Sequence, residues 1–199
     1  MIPLRPTAVT EEDNLRAAFY GLVAKLLVAP PDETRLAWLR GLAGDSSALG
    51  LAVAELASAA AVDAAEAEDE FNALFIGISR GEVVPYGSWY QAGFLHEKPL
   101  AVLRDDMARL GVAQAEGIAE SEDHMASLCE MMQGLIDGAF GAAADLPTQR
   151  AFFGAHLAPW AGQFFTDLET ARSARLYQPV GRMGRLFVEI ETEAFRMLD

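Results

Sequence analysis

Gly77-Ile78-Ser79-Arg80-Gly81-Glu82-Val83-Val84-Pro85 decides the fold class, because no other segment of the chain has strand-like character. Two glycines and a proline argue against a strand: glycine offers no side chain to pack, and proline cannot donate to a ladder. Read as a loop, it leaves a chain with no alternating apolar and polar run. Helical periods dominate on both sides of it.

Upstream, Asp63, Glu66, Glu68, Asp69 and Glu70 crowd a helix that carries Phe71, Leu74 and Phe75 on its other face, and the acidic run reads as a solvated face. The alanine-rich stretch before it keeps Leu49, Val53, Leu56 and Ala60 in register, with Asp45, Ser46 and Ser47 as capping candidates. Thr34 to Leu42 predicts a short helix with Leu36, Trp38, Leu39 and Leu42 apolar. Thr10 with Asp13 predicts an N-cap, followed by the stripe Leu15, Phe19, Leu22, Val23, Leu26 and Leu27, which Pro30-Pro31 ends.

Downstream, Trp89 to Phe94 predicts a short helix. Pro99 suits the first turn of another, with Leu100, Leu103, Met107 and Leu110 on one side and Gly111 as its stop. Residues 112–121 lack periodicity and are expected to form a hinge between an N-terminal part, 1–111, and a C-terminal part, 122–199. Met125, Leu128, Met131, Met132, Leu135 and Ile136 form the next amphipathic helix, ended by Gly138. Two helices then flank Pro159, and a closing helix from Pro179 to Leu198 is expected to bury Val180, Met183, Phe187, Ile190 and Phe195. The expected architecture is all-α: a single helical domain of eight to ten helices.

Composition narrows the function. The chain has 199 residues, 52% of them hydrophobic, enough for a core without staples. One cysteine, Cys129, excludes an internal disulfide and suggests a reducing compartment. The start runs from Met1-Ile2-Pro3 into Glu11-Glu12-Asp13 with no signal-like apolar region, and no apolar run is long enough to span a bilayer. A cytoplasmic protein without stable membrane insertion is expected. A net charge of −14 repels phosphate backbones, so nucleic acid is not an expected partner, whereas a basic peptide would be attracted.

Catalytic patterns are missing. There is no Glu-x-x-His of the di-iron bundles, and His96, His124 and His156 do not pair at helical spacing. Gly-x-Ser-x-Gly is absent, and Gly181-Arg182-Met183-Gly184 is not a phosphate loop. No catalytic residue, metal or cofactor is expected. What stands out is a set of aromatics near carboxylates: Leu74-Phe75, Pro85-Tyr86-Gly87-Ser88-Trp89-Tyr90 and Glu120-Ser121-Glu122-Asp123-His124. Such a mixture can hold an apolar peptide while acids meet its basic end. Ordinary core packing of Tyr86, Trp89 and Tyr90, with Asp123 as a helix N-terminal acid, accounts for the same residues.

At these residues the chain resembles the TorD/DmsD/NarJ family of redox-enzyme maturation chaperones, especially its TorD/DmsD branch. Tyr86-Gly87-Ser88-Trp89-Tyr90 is similar to a Tyr-x-Ser-x-Tyr stretch, preceded by the matching Leu74-Phe75. Glu120-Ser121-Glu122-Asp123-His124 resembles a Glu-Pro-x-Asp-His motif with serine in place of the proline. Phe152-Phe153-Gly154-Ala155-His156-Leu157-Ala158-Pro159-Trp160 resembles an aromatic-rich Phe-Phe-x-x-His-Leu-x-x-Trp segment, and Tyr177 leads into the last helix.

The resemblance implies a helical chaperone whose two parts meet at the Asp-His motif and which catalyses no reaction. It implies that the partner is the precursor catalytic subunit of a molybdenum oxidoreductase, bound through its twin-arginine signal peptide until cofactor insertion is complete. Leu74, Phe75, Tyr86, Ser88, Trp89, Tyr90, Glu120, Asp123 and His124 are the expected contacts, with the Met125 to Met132 face as a further apolar surface. Ser121 either loosens the hinge or caps a helix beginning at Glu122. A guanine-nucleotide or molybdenum-cofactor binding protein is the alternative, and a monomer and a domain-swapped dimer are both compatible with the sequence.

Overall fold

The structure, a computed structural model, describes residues 9–78, 80–115, 117 and 120–198. The expected start of the chain, position 79 of the loop and positions 116, 118 and 119 of the expected hinge lie outside the described residues. Among those described there are ten α-helices and no strand, and no single helix is long and apolar enough to cross a membrane.

Local chemistry sets the helix ends. α1 (Glu11–Val28) opens on a reciprocal cap: the Asp13 N–H donates to Thr10 Oγ1 at 3.1 Å, and the Thr10 N–H donates to Asp13 Oδ2 at 3.1 Å. α2 (Glu33–Arg40) and α3 (Ala48–Ala59) are capped by Asp32 and Ser47, and α4 (Ala64–Phe71) by the Asp63–Glu66 capping box. α5 (Gly87–Ala92) and α6 (Lys98–Leu110) stop at Gly93 and Gly111, whose φ angles of 81° and 70° suit a residue without Cβ. α7 (Met125–Asp137) ends in the same way at Gly138. α8 (Leu146–His156) and α9 (Ala161–Thr170) are separated by the turn containing Pro159, and α10 (Tyr177–Arg196) closes the chain.

The chain divides into two compact units, each discontinuous in sequence. The first holds the residues up to Val28 together with Tyr86–Pro159, and the second holds Ala29–Pro85 together with the residues from Trp160 onward. The chain passes between units beside Pro30, at Pro85 and at Pro159. The described residues of 112–121 lie inside the first unit.

In the first unit α1 packs along α7, α7 on α8, and α6 on both α5 and α8. Its core contains Tyr20, Val23, Leu26, Leu103, Met125, Leu128, Met132 and Phe152. The methionine face of α7 is therefore core and not an open apolar surface, because α1 covers it. Leu15, expected in the α1 stripe, is 69% exposed.

In the second unit α10 packs on α9 and α3, and α2 packs on α3. Val180, Met183, Phe187 and Phe195 are buried as expected, but Ile190 is half exposed and Glu191 takes the inward position beside it. The inward series 180, 184, 187, 191, 195 keeps to steps of three and four residues, and position 190 turns outward. Glu70 is not part of a solvated face. Its carboxylate accepts the N–H groups of Arg175, Leu176 and Tyr177 at 2.8, 3.0 and 2.8 Å, the donors left over at the start of α10.

The deciding segment is a loop, as expected, but the helix before it does not end as an α-helix. Asn72–Ile76 forms a π-helical turn closed by the Gly77 N–H on the Asn72 carbonyl at 2.8 Å. The carbonyls of Ala73 and Leu74 are taken instead by the Glu82 and Val83 N–H groups, at 3.2 and 2.8 Å. Gly81 permits this approach: a Cβ there would stand 2.4 Å from the Leu74 carbonyl oxygen.

Candidate functional site

Seven of the nine expected contact residues lie in the first unit: Tyr86, Ser88, Glu120, Asp123 and His124 are joined at the start of α5, and Trp89 and Tyr90 follow on that helix. Tyr86 precedes that helix, and its backbone forms an isolated antiparallel bridge with His124. The Gly87 N–H donates to the Asp123 carbonyl at 3.0 Å, and the Ser88 N–H donates to Asp123 Oδ2 at 2.7 Å. Asp123 is thus a helix N-terminal acid, but for α5 and not for the α7 that follows it in sequence.

His124 performs that second task. Its Nδ1 accepts the Ala126 N–H at 3.1 Å and caps α7, so Ser121 is not the cap and the helix does not begin at Glu122. Ser121 donates its hydroxyl to Asp123 Oδ1 at 2.7 Å, which steadies the carboxylate. Burial pushes the His124 imidazole down to about 4, against the raising influence of Glu120 and Asp123. A neutral ring with Nδ1 as acceptor fits the hydrogen bond it makes.

The Tyr86 ring meets the His124 ring edge-on, with centroids 5.0 Å apart, and its hydroxyl donates to Glu120 Oε2. Burial and the bond to Glu120 raise the phenol above its ordinary range. Gln114 Nε2 donates to the Glu120 carbonyl at 2.7 Å, which holds this turn from the far side. Arg104 on α6 clasps Glu122 with two donors at 3.0 and 2.8 Å, and this bond holds the Glu122 carboxyl below the usual carboxylate range. Neither Gln114 nor Arg104 belongs to any recognisable motif, so sequence alone did not single them out.

Exposure divides these residues by role. Ser88, Asp123 and His124 are buried and serve the backbone, although the Ser88 hydroxyl itself has no hydrogen-bond partner. Tyr86, Trp89 and Tyr90 are half-buried and Glu120 is exposed, so they present an aromatic and acidic surface. Leu74 and Phe75 belong to the second unit. Leu74 is fully buried there, and Phe75 stands edge-on to Phe71 and Tyr177 at 5.0 and 5.3 Å. No group of three or more His, Cys, Asp or Glu side chains among the described residues could hold a metal ion. Cys129 is buried in the first unit, and burial raises its thiol well above the ordinary value.

Comparisons with known proteins bear on the same stretch of chain. A family model described as nitrate reductase delta subunit matches residues 42–166, which contain the whole Tyr86 to His124 site. The chaperone protein TorD of Vibrio cholerae serotype O1, El Tor Inaba, is 27% identical over 127 residues, covering 60% of this chain and 58% of the relative. The TorD chaperone of the Classical Ogawa strain is equally similar. The aligned region thus spans somewhat more than half the length of these relatives. A crystal structure of a candidate redox enzyme maturation protein from Archaeoglobus fulgidus shares the fold, with a TM-score of 0.57 at 20% identity over 95% of this chain and 98% of that one. With the family match extending over more than half of its length, this chain belongs to the nitrate reductase delta subunit family, the group that includes TorD and NarJ.

Proposed function

We propose that this protein is a redox-enzyme maturation chaperone of the cytoplasm that binds the precursor catalytic subunit of a molybdenum oxidoreductase, including its twin-arginine signal peptide, and assists cofactor insertion before export or assembly. The observation that carries this reading is the family match across residues 42–166, reinforced by relatives named as TorD chaperones. The site supports it in chemical terms. Half-buried aromatics beside an exposed carboxylate suit a ligand that is apolar along one stretch and basic at one end.

Within the site, Tyr86, Trp89, Tyr90 and Glu120 make the contact, while Asp123, through the Ser88 N–H, and His124 hold that surface in shape. Leu74 and Phe75 act by shaping the second unit. A net charge of −14 draws a basic peptide toward the protein.

Co-expression with a candidate precursor subunit, followed by purification through a tag on this chain, tests the reading. Stoichiometric recovery of the precursor, lost when its two signal-peptide arginines are replaced by glutamine, is the expected result. Trp89→Ala and Glu120→Gln should each weaken recovery without unfolding the chaperone. Equal recovery of precursors with and without the signal peptide would remove the peptide from the proposal.

A further inference from the structure

Outside the Tyr86 to His124 cluster, the first unit contains two neighbouring cavities, and both are walled by α6 and α8. One, of about 320 Å³, is lined by Asp106, Arg109 and Leu110 of α6 and by Asp145, Ala151 and Phe152 at the other side. The second, of about 250 Å³, is lined by Pro99 and Val102 of α6, by Ala155 and His156 of α8, and by Gln91 and Lys98. Early residues of α6 thus face late residues of α8, and late residues of α6 face early ones. The two helices run antiparallel, and the cavities lie one after the other along the groove between them, linked by the Asp106–His156 hydrogen bond.

That groove has a direction. Its first end holds two carboxylates, Asp106 and Asp145, against one cation, Arg109. Its second end holds only Lys98 as a charged residue and is otherwise mainly apolar, with Val102 half exposed at its rim. Pro99 to Leu110 covers about 16 Å at 1.5 Å per helical residue, room for roughly five residues of extended peptide.

The acidic end is already built around a guanidinium. Asp106 accepts from His156 Nε2 at 2.7 Å through Oδ2, and its Oδ1 forms an ion pair with Arg109. His156 is 5% exposed and fixes the carboxylate, whereas the Arg109 side chain is 72% exposed and can leave without opening the core. The walls beside it, Leu110, Ala151 and Phe152, suit the aliphatic stem of an arginine.

We propose that the groove between α6 and α8 binds a short peptide segment in which an arginine precedes apolar residues. The arginine replaces Arg109 on Asp106 and approaches Asp145, and the apolar side chains run toward Val102 and Ala155. Lys98 sets the polarity by repelling a cation from the far end. Gln91 lies on α5 with Ser88, Trp89 and Tyr90, so the groove extends the surface already described. This inference rests on the chaperone reading, since it assigns part of the same ligand to a different wall.

The probe is a fluorescein-labelled synthetic peptide of two arginines followed by alternating leucine and alanine, with a control in which glutamine replaces both arginines. Anisotropy titration of the full chain should give tighter binding of the arginine peptide by about 10-fold. Val102→Glu, which puts an unpaired charge on the apolar wall at an exposed position, should weaken it by at least about 10-fold. Asp145→Asn keeps the α8 cap and should weaken it by about 3-fold.

Arg109→Ala is the discriminating variant: removal of the internal competitor should strengthen binding by about 3-fold, a gain that structural damage cannot produce. If the wild-type protein binds neither peptide, the chaperone reading and the groove fall together. If it binds the arginine peptide, and Trp89→Ala weakens this while Val102→Glu, Asp145→Asn and Arg109→Ala do not alter it, the groove alone is overturned.

Discussion

His124 and Asp123 are adjacent residues that cap different helices, so single-atom changes at this turn have separable consequences. Because Nδ1 of His124 accepts the Ala126 N–H, protonation would remove the cap and place a charge in a buried position. Its folded value of about 4 lies below the ordinary 6.5, so the unfolded chain binds the proton more readily. The contribution is complete above about pH 6.5 and is lost as pH falls toward and through 4, amounting to about 2–3 kcal/mol between pH 7 and 4.5. Urea denaturation of His124→Asn, which keeps a capping side chain, should show a flatter pH dependence than wild type over that window. A parallel slope would mean that this imidazole does not titrate with folding. Ser88→Ala removes a buried hydroxyl that has no partner, so stability should stay level or rise by up to about 1 kcal/mol. Asp123→Ala should instead cost about 1–3 kcal/mol, because the Ser88 N–H loses its acceptor inside the protein. The motif Glu120 to His124 was visible in the sequence, but its division into an exposed Glu120 and buried Asp123 and His124 was not, since spacing along a turn does not tell which backbone donors it will meet.

Among the elements, α9 and α10 show how closely two helices can approach. A Cβ on Gly181 would lie 2.3 Å from the Glu169 backbone nitrogen and 2.8 Å from the Phe165 carbonyl oxygen, and neither backbone atom can give way alone. Gly181→Ala should therefore destabilise by about 1–3 kcal/mol in chemical denaturation, although alanine is the better helix former. Glu70 ties α4 to the start of α10 through three N–H donors. Glu70→Ala should cost about 1–3 kcal/mol and Glu70→Gln less, with calorimetric melting temperatures ranking wild type, then Gln, then Ala. Helix ends were largely legible: Thr10, Ser47, Gly111, Gly138 and Pro159 mark boundaries through the backbone groups next to them, whereas Asp63, which reads as part of a solvated face, is the cap of α4. The π-helical turn at Asn72–Ile76 was not, because it follows from carbonyls captured by Glu82 and Val83 and no periodicity in residues 72–76 announces it.

On the scale of the whole molecule, two discontinuous units and a net charge of −14 carry the functional consequences. If the proposed peptide binding draws on this excess of carboxylates, salt screens the attraction, and raising ionic strength from about 0.05 to 0.5 M should weaken it severalfold, mainly through slower association. Stopped-flow association rates at the two salt concentrations check this, and rates independent of salt would leave apolar contact as the whole of the attraction. The sequence by itself determined that the chain is all-helical, where most helices begin and end, and which family its motifs resemble, because caps, glycine stops, proline breaks and a 3.6-residue period act over a few neighbouring residues. Only the tertiary structure decided that α1 belongs with α7 and α2 with α3, that the methionine face of α7 is core, and that Leu15 and Ile190 face outward. It also placed Leu74 and Phe75 in one unit and Tyr86 to His124 in the other, and it opened the α6 to α8 groove. Such features depend on which distant surfaces pair, and a local pattern of apolar and polar residues is compatible with several pairings.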